Sequence, residues 1–247
     1  MIQFKVEQNP ISMTVKRVAV VGEGGFERGY EAGYAKGNTD GYTKGHADGY
    51  NQGYDEGTAS GTVDYLDLLN NDTLEEYSNA TAKLVRQYLF YNNINIKKVD
   101  FPMAVKIDSS AFLGCKALTE LNFPNVKTLG SNAFRQCSKL NSVYFPNVTE
   151  VGGSAFYQCG AHGTVIDLPK VTTIGSMAFW ASSVKTLIIR SSTVCSLSNS
   201  NAFKGTNLET GGTGFIYVPD DLVDSYKAAT NWSTYATQIK PLSELEV

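Results

Sequence analysis

One spacing constrains this chain more than any other. Ala111-Phe112-x-x-Cys115 returns as Ala133-Phe134-x-x-Cys137 and again as Ala155-Phe156-x-x-Cys159, each copy 22 residues after the last. The Ala-Phe pair recurs at Ala178-Phe179 and Ala202-Phe203, and Leu89-Phe90 precedes the set as a degenerate copy. A second marker, Phe101-Pro102, Phe123-Pro124, Phe145-Pro146 and Leu168-Pro169, falls between the pairs in the same phase. A period in the twenties specifies a solenoid, because so short a unit cannot enclose a core and buries its apolar face only against its neighbours.

Within each unit the segments Ile96-x-x-Val99-x-Phe101, Leu118-x-x-Leu121-x-Phe123, Leu140-x-x-Val143-x-Phe145 and Val184-x-x-Leu187-x-Ile189 approximate L-x-x-L-x-L, the strand signature of leucine-rich repeats. Gly163-x-x-Ile166-x-Leu168 lacks its first apolar anchor. The connecting pieces Val126-x-x-Leu129-Gly130-Ser131-x-Ala133-Phe134 and Val171-x-x-Ile174-Gly175-Ser176-x-Ala178-Phe179 read as bulky turns in which glycine supplies a tight bend and Phe fills the interior. The expected fold is α+β: a parallel-sheet solenoid of about six coils over 74–219 and a C-terminal cap over 220–247. Asp220-Asp221-Leu222-Val223 opens a short helix in that cap, with Trp232 and Tyr235 placed to cover the end of the core.

The pattern I-G-x-x-A-F-x-x-C…L-x-x-V-x-F-P resembles the BspA-like leucine-rich repeats of bacterial surface proteins and gut-bacterial prophages, over roughly residues 74–239. Ile216-Tyr217-Val218-Pro219 through Trp232-Ser233 is similar to the usual end of such arrays. The resemblance implies a non-enzymatic adhesin or binding module. The last unit departs from the pattern, because the glycine-rich 209–215 separates Leu208 from Ile216 and obscures the strand register.

Ahead of the array, glycine occupies every fourth position from Gly25 to Gly61. The core of this run is Gly29, Gly33, Gly37, Gly41, Gly45, Gly49 and Gly53, with Tyr30, Tyr34, Tyr42, Tyr50 and Tyr54 following. Collagen needs glycine at every third residue and is excluded. A flexible linker has no reason to keep such a phase, so the run predicts a helix with a glycine seam over 24–61. Its glycines cost roughly 8 kcal/mol relative to alanine, which close packing against a partner helix would have to offset. A four-residue seam drifts by about 40° per repeat and requires right-handed supercoiling. The prediction is a self-associating stalk. The alternation Ile2, Phe4, Val6, Ile11, Met13, Val15 around Asn9-Pro10 predicts a β segment over 1–23, and 62–73 is a polar join.

Chemistry is sparse. The net charge of −3 and pI near 5.5 give no footprint for nucleic acid or an anionic membrane. The start lacks the features of a secretory signal, and no apolar run is long enough to span a membrane. Cys115, Cys137 and Cys159 share one repeat position and read as small buried core thiols, with Cys195 outside the phase; no Cys/His spacing suits a metal. His46 and His162 read as surface residues. No nucleophile elbow, metalloprotease helix or phosphate loop is present, so neither an enzyme nor a cofactor is expected.

What remains is surface. Residues between the strand anchors form two outward columns on the concave sheet, Lys98, Glu120, Ser142, Val165, Thr186 and Asp100, Asn122, Tyr144, Asp167, Ile188. The candidate ligand contacts are Lys98, Asp100, Glu120, Asn122, Ser142, Tyr144, Asp167 and Thr186. Tyr offers a stacking platform and the others hydrogen bonds to a bacterial surface glycan or protein. The same columns are also what any solvated sheet face requires.

Stalk, absent signal and repeat head together resemble a phage or prophage tail-fibre protein, docked to a virion or baseplate by its N-terminus and released by lysis. That resemblance implies a homotrimer; close glycine packing would also suit a dimer. A bacterial cell-surface or secreted adhesin and an intracellular assembly scaffold are the alternatives.

Overall fold

The computed structural model describes residues 74–160 and 164–245. The N-terminal β segment, the glycine-seam helix and the join expected over 1–73 lie outside the described residues, as do His46 and His162.

The repeats stack as a parallel β-solenoid of about seven turns, one more than the spacing alone predicts. One face carries a three-stranded sheet, Glu76–Ser78, Lys98–Asp100 and Glu120–Asn122. It continues as a five-stranded sheet, Ser142–Tyr144, Thr164–Leu168, Val184–Ile189, Phe215–Val218 and Ile239–Pro241. All the pairings are parallel. The strand after the glycine-rich loop pairs Leu187 with Ile216, which fixes the register the sequence obscured. Lys185 is the extra residue of a bulge between Val184 and Thr186, where the unit length changes.

The back of each coil holds a second strand that the repeat pattern does not announce. Leu84–Val85, Lys106–Ile107, Thr128–Leu129, Glu150–Val151, Thr173–Ile174 and Ser196–Leu197 form a six-stranded parallel sheet. The pieces expected to be turns therefore contain strands. Two residues are too few to display a period-two pattern, so only the buried member (Ile107, Leu129, Val151) leaves a trace.

The Ala-Phe corner forms a third ladder. Phe112 N donates to Ala133 O at 2.8 Å, Phe134 N to Ala155 O at 2.8 Å and Phe156 N to Ala178 O at 2.7 Å. Two left-handed residues bracket the corners from Leu89-Phe90 to Ala178-Phe179, as in Asn132 (φ 58°) and Gln136 (φ 62°), and then Met177 (φ 54°) and Ala181 (φ 51°), while the Ala202-Phe203 corner keeps only the second. Gly114 (φ 78°) and Gly205 (φ 73°) fill the second of these positions in other coils. Where a side chain is kept, the strain is of order 1 kcal/mol per residue.

Gly130, Gly152 and Gly175 do a different job from the bend expected of them. None has positive φ. A Cβ on Gly152 would lie 2.7 Å from the carbonyl oxygen of Leu129, and one on Gly175 2.6 Å from the amide of Gly153. These glycines let one coil's backbone settle directly on the next.

The interior is a file of parallel rings. Phe90, Phe112, Phe134, Phe156, Phe179 and Phe203 stack at centroid spacings of 5.1 to 5.5 Å with interplanar angles of 15° or less. Phe101, Phe123 and Phe145 make a shorter second file at 5.7 and 6.2 Å. Past Phe203 the stack meets Tyr235 edge-on at 5.1 Å and Trp232 at 5.8 Å.

The tail also satisfies the backbone groups that the last coil would leave open. Tyr235 Oη accepts from Phe203 N and donates to Ser200 O. Glu209 accepts from Gly205 N at 2.9 Å, Trp232 Nε1 donates to Cys195 O at 2.6 Å and Asn231 Nδ2 to Leu197 O at 2.7 Å. The short helix Val223–Ala228 (α1) contributes Tyr226, whose hydroxyl accepts from Cys195 N at 2.9 Å.

Two substitutions separate the two roles of glycine. Gly152→Ala is expected to destabilise by about 3 kcal/mol, since the methyl meets backbone that cannot step aside. Ala181→Gly is expected to stabilise by up to about 1 kcal/mol through relief of its left-handed strain. Denaturant melts of the two variants against wild type read both signs.

Candidate functional site

The outward columns take the register expected of them. Lys98 lies opposite Glu120, and Asp100 opposite Asn122; across the five-stranded sheet Ser142 pairs with Val165 and Tyr144 with Asp167, while Thr186 faces Val165. The columns also extend further than the repeat pattern showed. Glu76 and Ser78 precede them, and Phe215, Tyr217 and Lys240 follow. Phe215 and Tyr217 escaped notice because the glycine-rich loop hid their strand, and Lys240 because its strand, Ile239–Pro241, lies in the expected cap.

Most of these side chains are already occupied with one another. Asp100 accepts from Ser78 Oγ at 3.1 Å and from Asn122 Nδ2 at 2.7 Å. Lys98 reaches Glu120 at 3.4 Å, and the Arg190 guanidinium pairs with Asp167. Exposed pairs of this kind contribute little stability, but they leave Lys98, Glu120 and Asp167 each facing an opposite charge. Phe215 is covered by Lys240, whose Nζ stands 4.3 Å from the ring centroid. Ile188, placed outward by its register between Asp167 and Tyr217, is only 6% exposed and so is not available to a ligand.

Tyr144 is the exception. Its side chain is 63% exposed, the largest exposure of any large apolar or aromatic residue among those described. It sits at a seam, since no ladder joins Glu120–Asn122 to Ser142–Tyr144 and the face sheet divides there. Tyr144 thus stands at a sheet edge beside Ser142 and near Asn122, with an open ring face and a hydroxyl that can donate or accept. A flat ring flanked by small polar groups suits the apolar face and hydroxyls of a sugar, or a polar protein loop.

The thiols have a different fate. Cys115 Sγ donates to Phe90 O at 3.0 Å and Cys137 Sγ to Phe112 O at 3.1 Å, inside the core. Burial pushes the thiols of Cys115, Cys137 and Cys159 far up, and that of Cys195 up to about 12. Ser182 takes the cysteine position in the next coil, and its buried hydroxyl has no hydrogen-bond partner. Among the described residues no group of three or more His, Cys, Asp or Glu could hold a metal ion, and no helix is long and apolar enough to cross a membrane.

Six copies of the BspA type leucine rich repeat match residues 80–210. Among solved structures, a leucine-rich repeat protein from Bacteroides ovatus is 19% identical, with a TM-score of 0.42 over 60% of this chain and 40% of that one. The pneumococcal vaccine antigen PcpA is 18% identical, with a TM-score of 0.47 over 70% of this chain and 43% of that one. The chain therefore spans less than half the length of either. No curated protein matches it.

Because the thiolate is the reactive form, all four cysteines are expected to resist a disulfide-exchange reagent at about pH 8.5 in the folded protein, and to react together once denaturant unfolds it. Rapid labelling of any thiol under native conditions would contradict the packing of the Phe-Cys core.

Proposed function

The chain belongs to the BspA-type leucine-rich repeat family, and we propose that it is a non-enzymatic binding protein of the adhesin kind, contacting a bacterial or host surface ligand through the outward strand face around Tyr144. The observation that carries this reading is the contrast on that face. Lys98, Glu120, Asp100 and Asp167 are each engaged by a neighbour on the face, while one large aromatic ring stands exposed at the seam between two sheets. A lone exposed ring is by itself unremarkable on a protein surface. Position at the seam distinguishes Tyr144 from that background. Asn122 and Ser142 flank it as hydrogen-bond partners, and Lys98, Asp100, Glu120, Asp167 and Thr186 form the polar surround.

The narrower tail-fibre reading, with attachment to a virion or baseplate and release by lysis, depends on residues 1–61, outside the described residues. It is kept as the second reading because the glycine run is the one feature of the sequence that asks for self-association. A homo-oligomer would present several faces at once, and a weak contact at each would sum by avidity.

Purified protein is expected to bind whole bacterial cells or isolated cell-wall glycan, with Tyr144→Ala lowering affinity about tenfold, as the loss of one stacking contact does. Asp167→Asn is expected to have a smaller effect, since Arg190 already engages that carboxylate. Unchanged binding in Tyr144→Ala would remove the face from consideration. Separately, light scattering of the full chain is expected to give a dimer or trimer, and a monodisperse monomer would remove the stalk.

A further inference from the structure

The Ala-Phe corner carries a second surface. The residue after each Phe returns once per coil, and four successive coils place Arg135, Tyr157, Trp180 and Lys204 in one file. The file is in contact throughout. The Arg135 guanidinium carbon stands 4.5 Å from the Tyr157 ring centroid, Tyr157 and Trp180 stack at 6.3 Å, and Lys204 Nζ lies 5.4 Å from the Trp180 ring. Aromatic rings clamped between two cations have both faces covered, so they turn their edges, the positive part of the ring quadrupole, to solvent.

The electrostatic setting sharpens this. The chain as a whole carries −3, yet the described residues hold 15 Lys and Arg against 12 Asp and Glu, a surplus of three positive charges. On the strand face the cations are matched, Lys97 with Glu75, Lys98 with Glu120 and Arg190 with Asp167. Along the corner they are not. Segments 130–139, 152–160, 175–185 and 199–206 contain no acidic residue; the Glu209 carboxylate reaches in to Gly205 N, but neither Arg135 nor Lys204 forms an ion pair among the described residues. Lys139, exposed in the first of these segments, makes no ion pair among the described residues either. Alongside runs a neutral file, in which Gln136 Nε2 donates to Gln158 Oε1 at 3.2 Å.

We propose that this corner binds a linear acidic polysaccharide lying along the solenoid axis. Arg135 and Lys204 are three coils apart, about 14 Å at the ~4.8 Å spacing of stacked strands, a span of a few sugar units. Stacking on the rings fixes the two cations before the ligand arrives, which reduces the ordering cost of binding. The glutamine file supplies donors and acceptors for hydroxyl groups. Single-stranded nucleic acid fits less well, because it needs open ring faces for its bases and these faces are taken. An acidic peptide would need a pocket for an anchoring side chain, and the file offers only edges and charges. The proposal stands apart from the strand-face reading, since the corner and the face use different residues of every coil.

The test uses the full chain and immobilised polygalacturonate, with neutral dextran and duplex DNA as controls, at low and moderate NaCl. Wild type is expected to bind polygalacturonate in a salt-sensitive way, to ignore dextran and to bind DNA more weakly. Arg135→Glu with Lys204→Glu is expected to lower affinity for polygalacturonate at least about tenfold, and Lys127→Glu, an exposed cation next to the back strand Thr128–Leu129, to leave it unchanged. If charge reversal disturbs the thermal melt, Arg135→Gln with Lys204→Gln takes its place, with a smaller loss expected. Absence of wild-type binding, equal affinity in the corner variants, or equal binding of DNA would each overturn the proposal. Loss in Tyr144→Ala alone would return the glycan to the strand face.

Discussion

Everything in this molecule depends on how closely one coil can approach the next. Three ladders set the approach: the outward strands, the two-residue back strands and the Ala-Phe corner. Each requires backbone to lie within hydrogen-bonding distance of backbone. The ladders do not run the same way. Back-sheet amides such as Gly130 N and Gly152 N donate to the preceding coil, whereas corner amides such as Phe112 N and Phe134 N donate to the following one. The ring stack then follows. At 5.1 to 5.5 Å the near-parallel phenylalanines take a spacing set by the rise of the coils, and it falls within the range that stacked aromatic pairs favour.

That constraint explains what the sequence disclosed. Ala111-Phe112-x-x-Cys115 and its copies are legible because each position meets its own image one coil later, so only a residue that stacks on itself is accepted there. Phe fills, Ala leaves room, and Cys donates inward to a carbonyl of the coil before. The outward columns were legible for the same reason: register between parallel strands is fixed by the repeat, and Lys98 does face Glu120. The glycine at Gly130, Gly152 and Gly175 was visible as a repeated residue, but its cause was not. A bend and a close approach select the same amino acid, and only the position of the neighbouring backbone separates them.

What stayed hidden has physical reasons too. The back strands are two residues long, below any periodic signal. The corner's left-handed positions carry Tyr88, Asn92, Ser110, Asn132, Gln136, Ser154, Gln158, Met177 and Ala181 besides two glycines. These side chains share no chemistry, because the corner ladder imposes the conformation and tolerates its cost. The pairing of face charges, and hence the isolation of Tyr144, depends on which rotamers meet across coils. The division of the face sheet at Asn122 and Tyr144 has no counterpart in the repeat, and nothing in the packing explains it.

The tail that closes the array has a further implication. Trp232, Asn231, Tyr226 and Tyr235 bond to backbone atoms of the last coil, and all but Tyr226, by way of α1, come from one short stretch beside it. The terminator therefore recognises a coil, not a total length. Repeats can be gained or lost in the middle of the array while the end remains intact, and each one added brings two more outward residues to the face and one more to the corner. The stacked area of such a chain therefore changes in whole units, with the same terminator closing any number of coils.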